Sequence, residues 1–535
     1  MDIQDAKKAM EAKRAGRLTQ TPALLADDAK KALLSTHHPD YRADAYQTLK
    51  IGPNAGDRTV KELAGLLEAG SALSASAGAG ATLTPQEKVD VLIIGGGGAG
   101  AAAALEAKAA GANVLLATKL RLGDANTVMA EGGMQAAVNP EDSPIRHFAD
   151  TLKGGHFKND RTLLKILVEE GPGAVLWLMK LGVLFDRDEE GNLKLRSGGG
   201  TSTARLLACR DYTGLELMRV LKDEVINQRV RTLEYSPAIE LLSGPDGACT
   251  GAVLKDFDND RQIVVQAKIV ILSTGGSGRL HIQRFPTSNH FGATGDGLAL
   301  AYRLGAKLLY IDTFQYHPTG SVYPEPMAGL LVTEALRSAG AQLVNASGDR
   351  FVSEMETRDV VASAVIRECQ EGRGVATPGG RTGVWLDIPV VDELHGEGTI
   401  EKRFPNMLRL FSRYGIDIRT EPVLVYPTLH YQNGGVRVDA QGQATVKNLL
   451  VAGEASGGLH GRNRLMGNSL LDIIVFGRRA GQHAAKMAGS VEWGAPTLGH
   501  LKAFEAARAN AGIHSDVISP MLFPDYVRKV EKAPV

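Results

Sequence analysis

The stretch from Val89 to Glu106 restricts the fold of this chain more than any other. Val89-Asp90-Val91-Leu92-Ile93-Ile94 is an apolar run broken only by Asp90, as expected of a strand buried on both faces of a parallel sheet. It runs into Gly95-Gly96-Gly97-Gly98-Ala99-Gly100, then into the strong helix former Ala101–Ala110, and Asn113-Val114-Leu115-Leu116-Ala117 supplies a second strand. This is a βαβ unit with Gly95, Gly97 and Gly100 at the GxGxxG positions and Gly98 and Ala99 between them. Such a turn brings backbone close to a dinucleotide pyrophosphate at the positive end of a helix. A bare GxGxxG is weak, but one set between strand and helix is specific. The second strand ends at Thr118-Lys119, without the acidic residue that would meet a ribose diol, which weighs against a simple nicotinamide enzyme.

Distant segments return to the same sheet. Ile269-Val270-Ile271-Leu272 leads into Ser273-Thr274-Gly275-Gly276, Gly295-Asp296-Gly297 precedes a helical stretch, and Asn448–Ala452 ends at Gly453-Glu454 before Gly467-Asn468-Ser469-Leu470 opens another helix. The pattern predicts one long cofactor wrapped by scattered loops. It is interrupted by an amphipathic Arg358–Glu368 and a loop-rich stretch to Arg419, the mark of an inserted cap.

The 535 residues exceed one simple core, and 62 glycines favour tight turns and close backbone–ligand approach. Lys+Arg and Asp+Glu balance at 60 each, so no overall field favours nucleic acid or an anionic membrane. The 3 cysteines, Cys209, Cys249 and Cys369, form no CxxC pair and offer no ligand set for an iron–sulfur cluster or attached haem; no metal site is expected. No apolar run spans a bilayer and the start lacks a signal core, so the expected location is cytoplasmic, or peripheral to a membrane through a partner. Asp27–Leu34 and Thr59–Leu67 read as short helices of a charged leader, either loosely packed or a docking segment, and Ser71–Thr84 reads as a flexible Ala/Gly/Ser linker.

Two further stretches carry the chemistry. Gln315-Tyr316-His317-Pro318-Thr319-Gly320 and Leu459-His460-Gly461-Arg462-Asn463-Arg464 set His, Arg and Asn in Gly-rich sequence, where they could clamp a small anion. Between them lie Thr333-Glu334-Ala335-Leu336-Arg337, Arg358-Asp359 and Thr428-Leu429-His430-Tyr431. Cationic clamps beside a dinucleotide predict redox chemistry on an anionic substrate such as a dicarboxylate. Each residue also has a plain reading. His317 could be a satisfied loop histidine, and Arg464 a partner of Glu454. Glu334 and Arg337, spaced i,i+3, could pair on a helix surface, and Arg358 could pair with Asp359.

In their order, these motifs, with Ala130-Glu131-Gly132-Gly133, resemble the flavoprotein family of fumarate reductase, succinate dehydrogenase and L-aspartate oxidase, from about Val89 to Ala485. The resemblance implies an α/β protein: a Rossmann-like FAD-binding domain interrupted by an α+β capping domain, with a helical N-terminal extension and a short tail. The expected limits are 1–70 for the extension, 71–87 for the linker, 88–320 and 426–490 for the FAD-binding domain, 321–425 for the cap and 491–535 for the tail. It further implies FAD held along Gly95, Gly97, Gly98, Ala99, Gly100, Thr118, Lys119, Asn126, Thr127, Gly132, Gly133, Ala238, Thr274, Gly275, Asp296, Glu454, Ser469 and Leu470. Asn126 falls where membrane-complex members carry a histidine bonded to the flavin, so the FAD is expected to be non-covalent.

By the same resemblance, flavin N5 would give hydride to an activated C=C bond while His317, Thr333, His430 and Arg464 hold the carboxylates. Arg358 would be the proton donor, with Glu334 and Arg337 as its relay. The implied activity is interconversion of fumarate and succinate, or of a related dicarboxylate pair, by the flavoprotein subunit of an electron-transfer complex with a separate iron–sulfur or other redox partner. An L-aspartate oxidase-like enzyme and a non-catalytic electron relay are the alternatives. The sequence departs from the family at Gly198, where fumarate reductases place a phenylalanine and aspartate oxidases a glutamate. Either the substrate is larger than fumarate or another element fills the gap.

Overall fold

The computed structural model describes residues 2–73, 82–524 and 526. The apolar run Glu87–Ile94 is the hub of a 7-stranded sheet. Val114–Ala117 and Arg261–Leu272 flank it in parallel, with Val91 opposite Val114 and Ile94 opposite Leu272. Arg231–Leu233 extends one side in parallel, and Leu449–Val451 runs parallel to Arg261–Leu272 with Val451 opposite Leu272. Antiparallel Cys249–Asp256 and Ala238–Ser243 complete the sheet. This register puts the carboxyl ends of four parallel strands, at Ile94, Ala117, Leu272 and Val451, on one edge, where open α/β sheets bind their ligands. Both faces are covered by apolar side chains, among them Leu92 and Leu272 on one side and Val91 and Ile271 on the other. This double burial explains why the strands read as apolar runs rather than as alternation.

The cap is built on a 5-stranded antiparallel sheet containing Phe314–Ser321, Val423–Gln432, Thr382–Asp387 and Gln342–Val344. The strands Phe314–Ser321 and Val423–Gln432 run between the units: Phe314, Tyr316 and Leu429 join the core of the base, and Val423 and Val425 that of the cap. The helix Arg358–Gln370 packs on this sheet through Val361 and Val365, in a core with Leu343, Leu386 and Phe411.

The N-terminal segment is not loosely packed, because it carries its own buried contacts. Helix Ile3–Arg17 lays Ala6 and Met10 against Val344 and Trp385 of the cap. Helix Asp27–His37 inserts Leu33 and Leu34 into the cap core. Further on, Tyr46, Leu49, Val60 and Leu63 join the core of the base, and Thr59 donates to the Ile311 carbonyl at 2.7 Å. Arg17 and Arg14 grip the fully buried Asp387 at 2.6 and 2.7 Å. The segment is thus a strap over both units. Of the expected linker, residues 74–81 lie outside the described residues. The tail helix Gly499–Asn510 docks on the base through Leu501 and Phe504. Among the described residues, no helix is long and apolar enough to cross a membrane.

Candidate functional site

A cleft opens at the shared carboxyl edge of the sheet. Gly95, Gly97, Gly98, Ala99, Thr118, Lys119, Asn126 and Thr127 line it from the βαβ unit and the loop that follows. Ala238, Thr274, Gly275, Asp296, Glu454, Ser469 and Leu470 line it from the returning segments. Gly100, Gly132 and Gly133 do not line the cleft; Gly100 and Gly133 let backbone pack closely, and Gly132 leaves room for the Met466 side chain. A Cβ at Gly100 would run into the Gly95 carbonyl, and Gly133, at φ 127°, lies against the Leu207 carbonyl.

The cleft suits a dinucleotide. The helix Gly98–Ala109 starts at Gly97 with no side-chain cap; its Gly98 amide meets Thr127 Oγ1 at 3.2 Å and its Ala101 amide the Gly97 carbonyl at 2.9 Å. The start of the helix and its dipole suit a phosphate. Lys119, at the position without an acid, bonds to Asp296 at 2.7 Å and to Thr294 at 2.8 Å, tying the second strand to the helix after Gly295. Asn126 is held firmly: its Oδ1 accepts from the His290 amide at 2.6 Å, and its Nδ2 donates to Asn289 at 3.1 Å and to Glu454 at 3.3 Å. The Ser288-Asn289-His290 stretch, which sequence reasoning passed over, lines the cleft as well. It sits in an irregular loop whose only signal is a run of polar residues after Pro286.

At the inner end the cap closes over the base, and the remaining candidates meet there. Glu334 is buried at the start of helix Glu334–Ser338 and accepts from Arg358 Nε at 2.7 Å and from the Gly199 amide at 3.1 Å. Arg337 Nη2 lies 3.1 Å from the same carboxylate, and its Nη1 donates to the Glu354 carbonyl at 2.6 Å. Neither surface reading holds, because all three side chains are buried and Arg358 pairs with Glu334 rather than Asp359. Burial opposes ionisation of Glu334, but Arg358 and Arg337 outweigh it and hold the carboxyl below its usual range. Burial pulls Arg337 below the ordinary guanidinium value.

His317 and His430 face each other with ring centroids 5.2 Å apart. Burial first, then Arg358, pushes both well below the usual histidine range, so both rings are neutral. His317 Nδ1 accepts from the Thr319 amide at 3.3 Å, which assigns its proton to Nε2, and Nε2 has no hydrogen-bond partner among the described residues. His430 Nδ1 meets Ser288 Oγ at 2.8 Å. Thr333 caps the Glu334 helix, its Oγ1 accepting from the Ala335 amide at 3.4 Å.

Arg464 lines the cleft with its guanidinium 4.5 Å above the Tyr431 ring. It makes no ion pair with Glu454, and its buried Nε has no hydrogen-bond partner among the described residues. Burial, then the neighbouring Arg358, lowers it to about 9. Arg358 and Arg337 thus pair with one carboxylate, Glu334, and Arg464 stands near them with no ion pair among the described residues. That imbalance is costly unless an anion completes it.

The gap at Gly198 is filled. A Cβ there would lie 3.1 Å from Met466 Sδ, and one at Gly132 would lie 2.9 Å from Met466 Cε. Met466 is itself buried, and its carbonyl accepts from Gln135 Nε2 at 2.6 Å. The thioether thus occupies the volume that a side chain at position 198 would take.

A family described as FAD binding domain matches residues 90–470. The CoM/CoB fumarate reductase of Methanothermobacter marburgensis has a subunit that is 45% identical over 374 residues, 68% of this chain and 66% of that protein. L-aspartate oxidase of Streptomyces coelicolor is 39% identical over 432 residues, covering 78% of this chain and 69% of the oxidase. The solved structure of E. coli quinol fumarate reductase superposes with a TM-score of 0.72 at 30% identity, over 80% of this chain and 74% of that one.

Proposed function

This chain belongs to the FAD flavoprotein family of fumarate reductase, succinate dehydrogenase and L-aspartate oxidase, and we propose that it interconverts fumarate and succinate or a close dicarboxylate pair. The observation that carries this reading is the buried Arg464, which has no ion pair among the described residues, beside the Arg358–Glu334–Arg337 cluster, with His317 Nε2, which has no hydrogen-bond partner among them, in the same space. A dianion meets that charge, and Arg464 offers it a planar fork suited to a carboxylate. The 45% identity to a fumarate reductase protein supports the same choice.

When bound, FAD would supply the hydride. The chain supplies the rest: Arg464 and His430 hold one carboxylate at the cleft, and His317 and Thr333 hold the other from the cap. Arg358 gives the proton. Its Nε and Nη1 are engaged by Glu334 and by Gln315 at 2.9 Å, which leaves Nη2 as the donor. An arginine acid is workable only against a strongly basic carbanion and with rapid reprotonation, which Glu334 and Arg337 provide. Asn126 cannot form a histidyl–flavin bond, so the FAD is non-covalent. The relatives named as subunits support a separate electron-transfer partner. L-aspartate oxidation is the weaker reading, because Glu334 is already claimed by two arginines, and Glu454 by the Gln432 amide and Asn126, so neither carboxylate stands ready for an amine.

The test is purified protein with reduced viologen, offered fumarate and bulkier unsaturated dicarboxylates, with aspartate plus oxygen in parallel. Dye oxidation by fumarate, with release of all flavin on acid precipitation, is the expected result. Peroxide from aspartate alone would overturn it.

A further inference from the structure

Two helix ends meet beside the site. The helix Pro144–Gly154 of the base finishes against the first turn of the cap helix Arg358–Gln370, and His156 Nε2 lies 2.8 Å from Asp359 Oδ2 across the junction. A cation just past a helix C-terminus and a carboxylate in a first turn are each favoured by the local helix dipole. His156 is fixed in the left-handed region, at φ 58°, with its amide on the Lys153 carbonyl at 3.1 Å. Asp359 Oδ1 accepts from Asn463 Nδ2 at 3.3 Å, and Asn463 Oδ1 accepts from Gln315 Nε2 at 2.9 Å. Gln315 Oε1 then accepts from Arg358 Nη1 at 2.9 Å, while its Nε2 also donates to the Arg464 carbonyl at 2.6 Å. A chain of hydrogen bonds converging on Asp359 thus links His156, whose side chain is 41% exposed, to the Arg358 guanidinium and, through Gln315, to the Arg464 carbonyl. Two primary amides interrupt it. Amides pass on orientation, not protons, so the line holds geometry.

We propose that His156 is a positioning residue: its imidazolium, paired with Asp359, pins the first turn of the cap helix to the base and so keeps Arg358 seated between Glu334 and Gln315. This rests on the reading of Arg358 as the acid. The groups facing His156 are few. Asp359 comes from the cap helix and Arg462 from the loop before Arg464, and Arg462 is itself paired with Asp312 at 2.8 Å. His38, from the N-terminal strap, is lowered by burial to about 4 and is neutral. The hydrogen bond to Asp359 raises His156 above its usual range, while Asp359 is held down to about 2 because His156 outweighs its burial. The pair is therefore complete below about pH 6.5 and is lost as pH rises through the raised histidine value.

The test uses the full-length, FAD-loaded protein as wild type, His156→Gln and His156→Arg. In the viologen–fumarate assay, wild-type kcat should fall as pH rises through the His156 titration. The glutamine variant should lose at least about 10-fold in kcat at low pH, with KM changed less than about 2-fold and that limb of the pH profile gone, since small misplacements near the chemistry cost up to ~10²-fold. The arginine variant, charged throughout, should restore the rate and stay flat. Hydrogen exchange at the amides of residues 361–364, measured without substrate, should quicken in the glutamine variant only. Unchanged exchange with an unchanged pH profile would overturn the proposal whatever the substrate. Quickened exchange with fumarate inert in all three forms would support the clamp and overturn the fumarate reading instead.

Discussion

Arg358 makes a charged bond to Glu334 and a neutral one to Gln315, and these two bonds orient the guanidinium. Arg358→Gln or Arg358→Lys should keep FAD, because neither bond reaches the cofactor cleft, yet cut turnover by at least ~10²-fold. Flavin absorbance and dye-coupled turnover on one preparation check both halves; turnover near wild type would remove Arg358 from the acid role. At this scale the sequence was informative about identity and poor about partnership. His317, His430, Arg358 and Arg464 could be picked from their motifs, because chemistry of this kind needs those residue types. That Asp359 turns from its neighbour Arg358 to His156, 203 positions away, could not be read, because the pairing exists only once two helix ends are brought together. Arg464 stacking on Tyr431 rather than pairing with Glu454 has the same cause.

Among elements, the turn around Gly198 shows how one loop sets another. Met466 fills the space beside Gly198 and also touches the position a side chain at Gly132 would need. Gly198→Phe should overpack this junction and cost about 1–3 kcal/mol. Adding Met466→Gly should recover most of that loss by making room. Urea unfolding of the two variants decides it, and a double variant no better than the single would show that Met466 is not the obstacle. The buried strands were legible because double burial writes an apolar run, and the glycine turn because close backbone approach tolerates little else. The helix Ile3–Arg17 was not, since its Ala- and Lys-rich face buries only Ala6, Met10 and Arg17 and leaves a weak apolar stripe.

Over the whole molecule, the strap joins what the chain order separates. Asp387, on the central part of the cap sheet, is wholly buried and answers two arginines from the first helix. Asp387→Ala leaves the buried Arg17 without its ion pair and Arg14 with only Glu393 at 3.5 Å, and should cost about 3–5 kcal/mol, the range for breaking a buried pair. A thermal or urea midpoint close to wild type would show that the strap adds nothing to stability. Leu33 and Leu34 hold the strap to the cap, and Thr59 and Leu63 hold it to the base. Any swing that parts the two units must either drag this segment along or peel one of its ends. The hinge between cap and base is therefore tied mechanically to residues outside the 90–470 span that the family match covers.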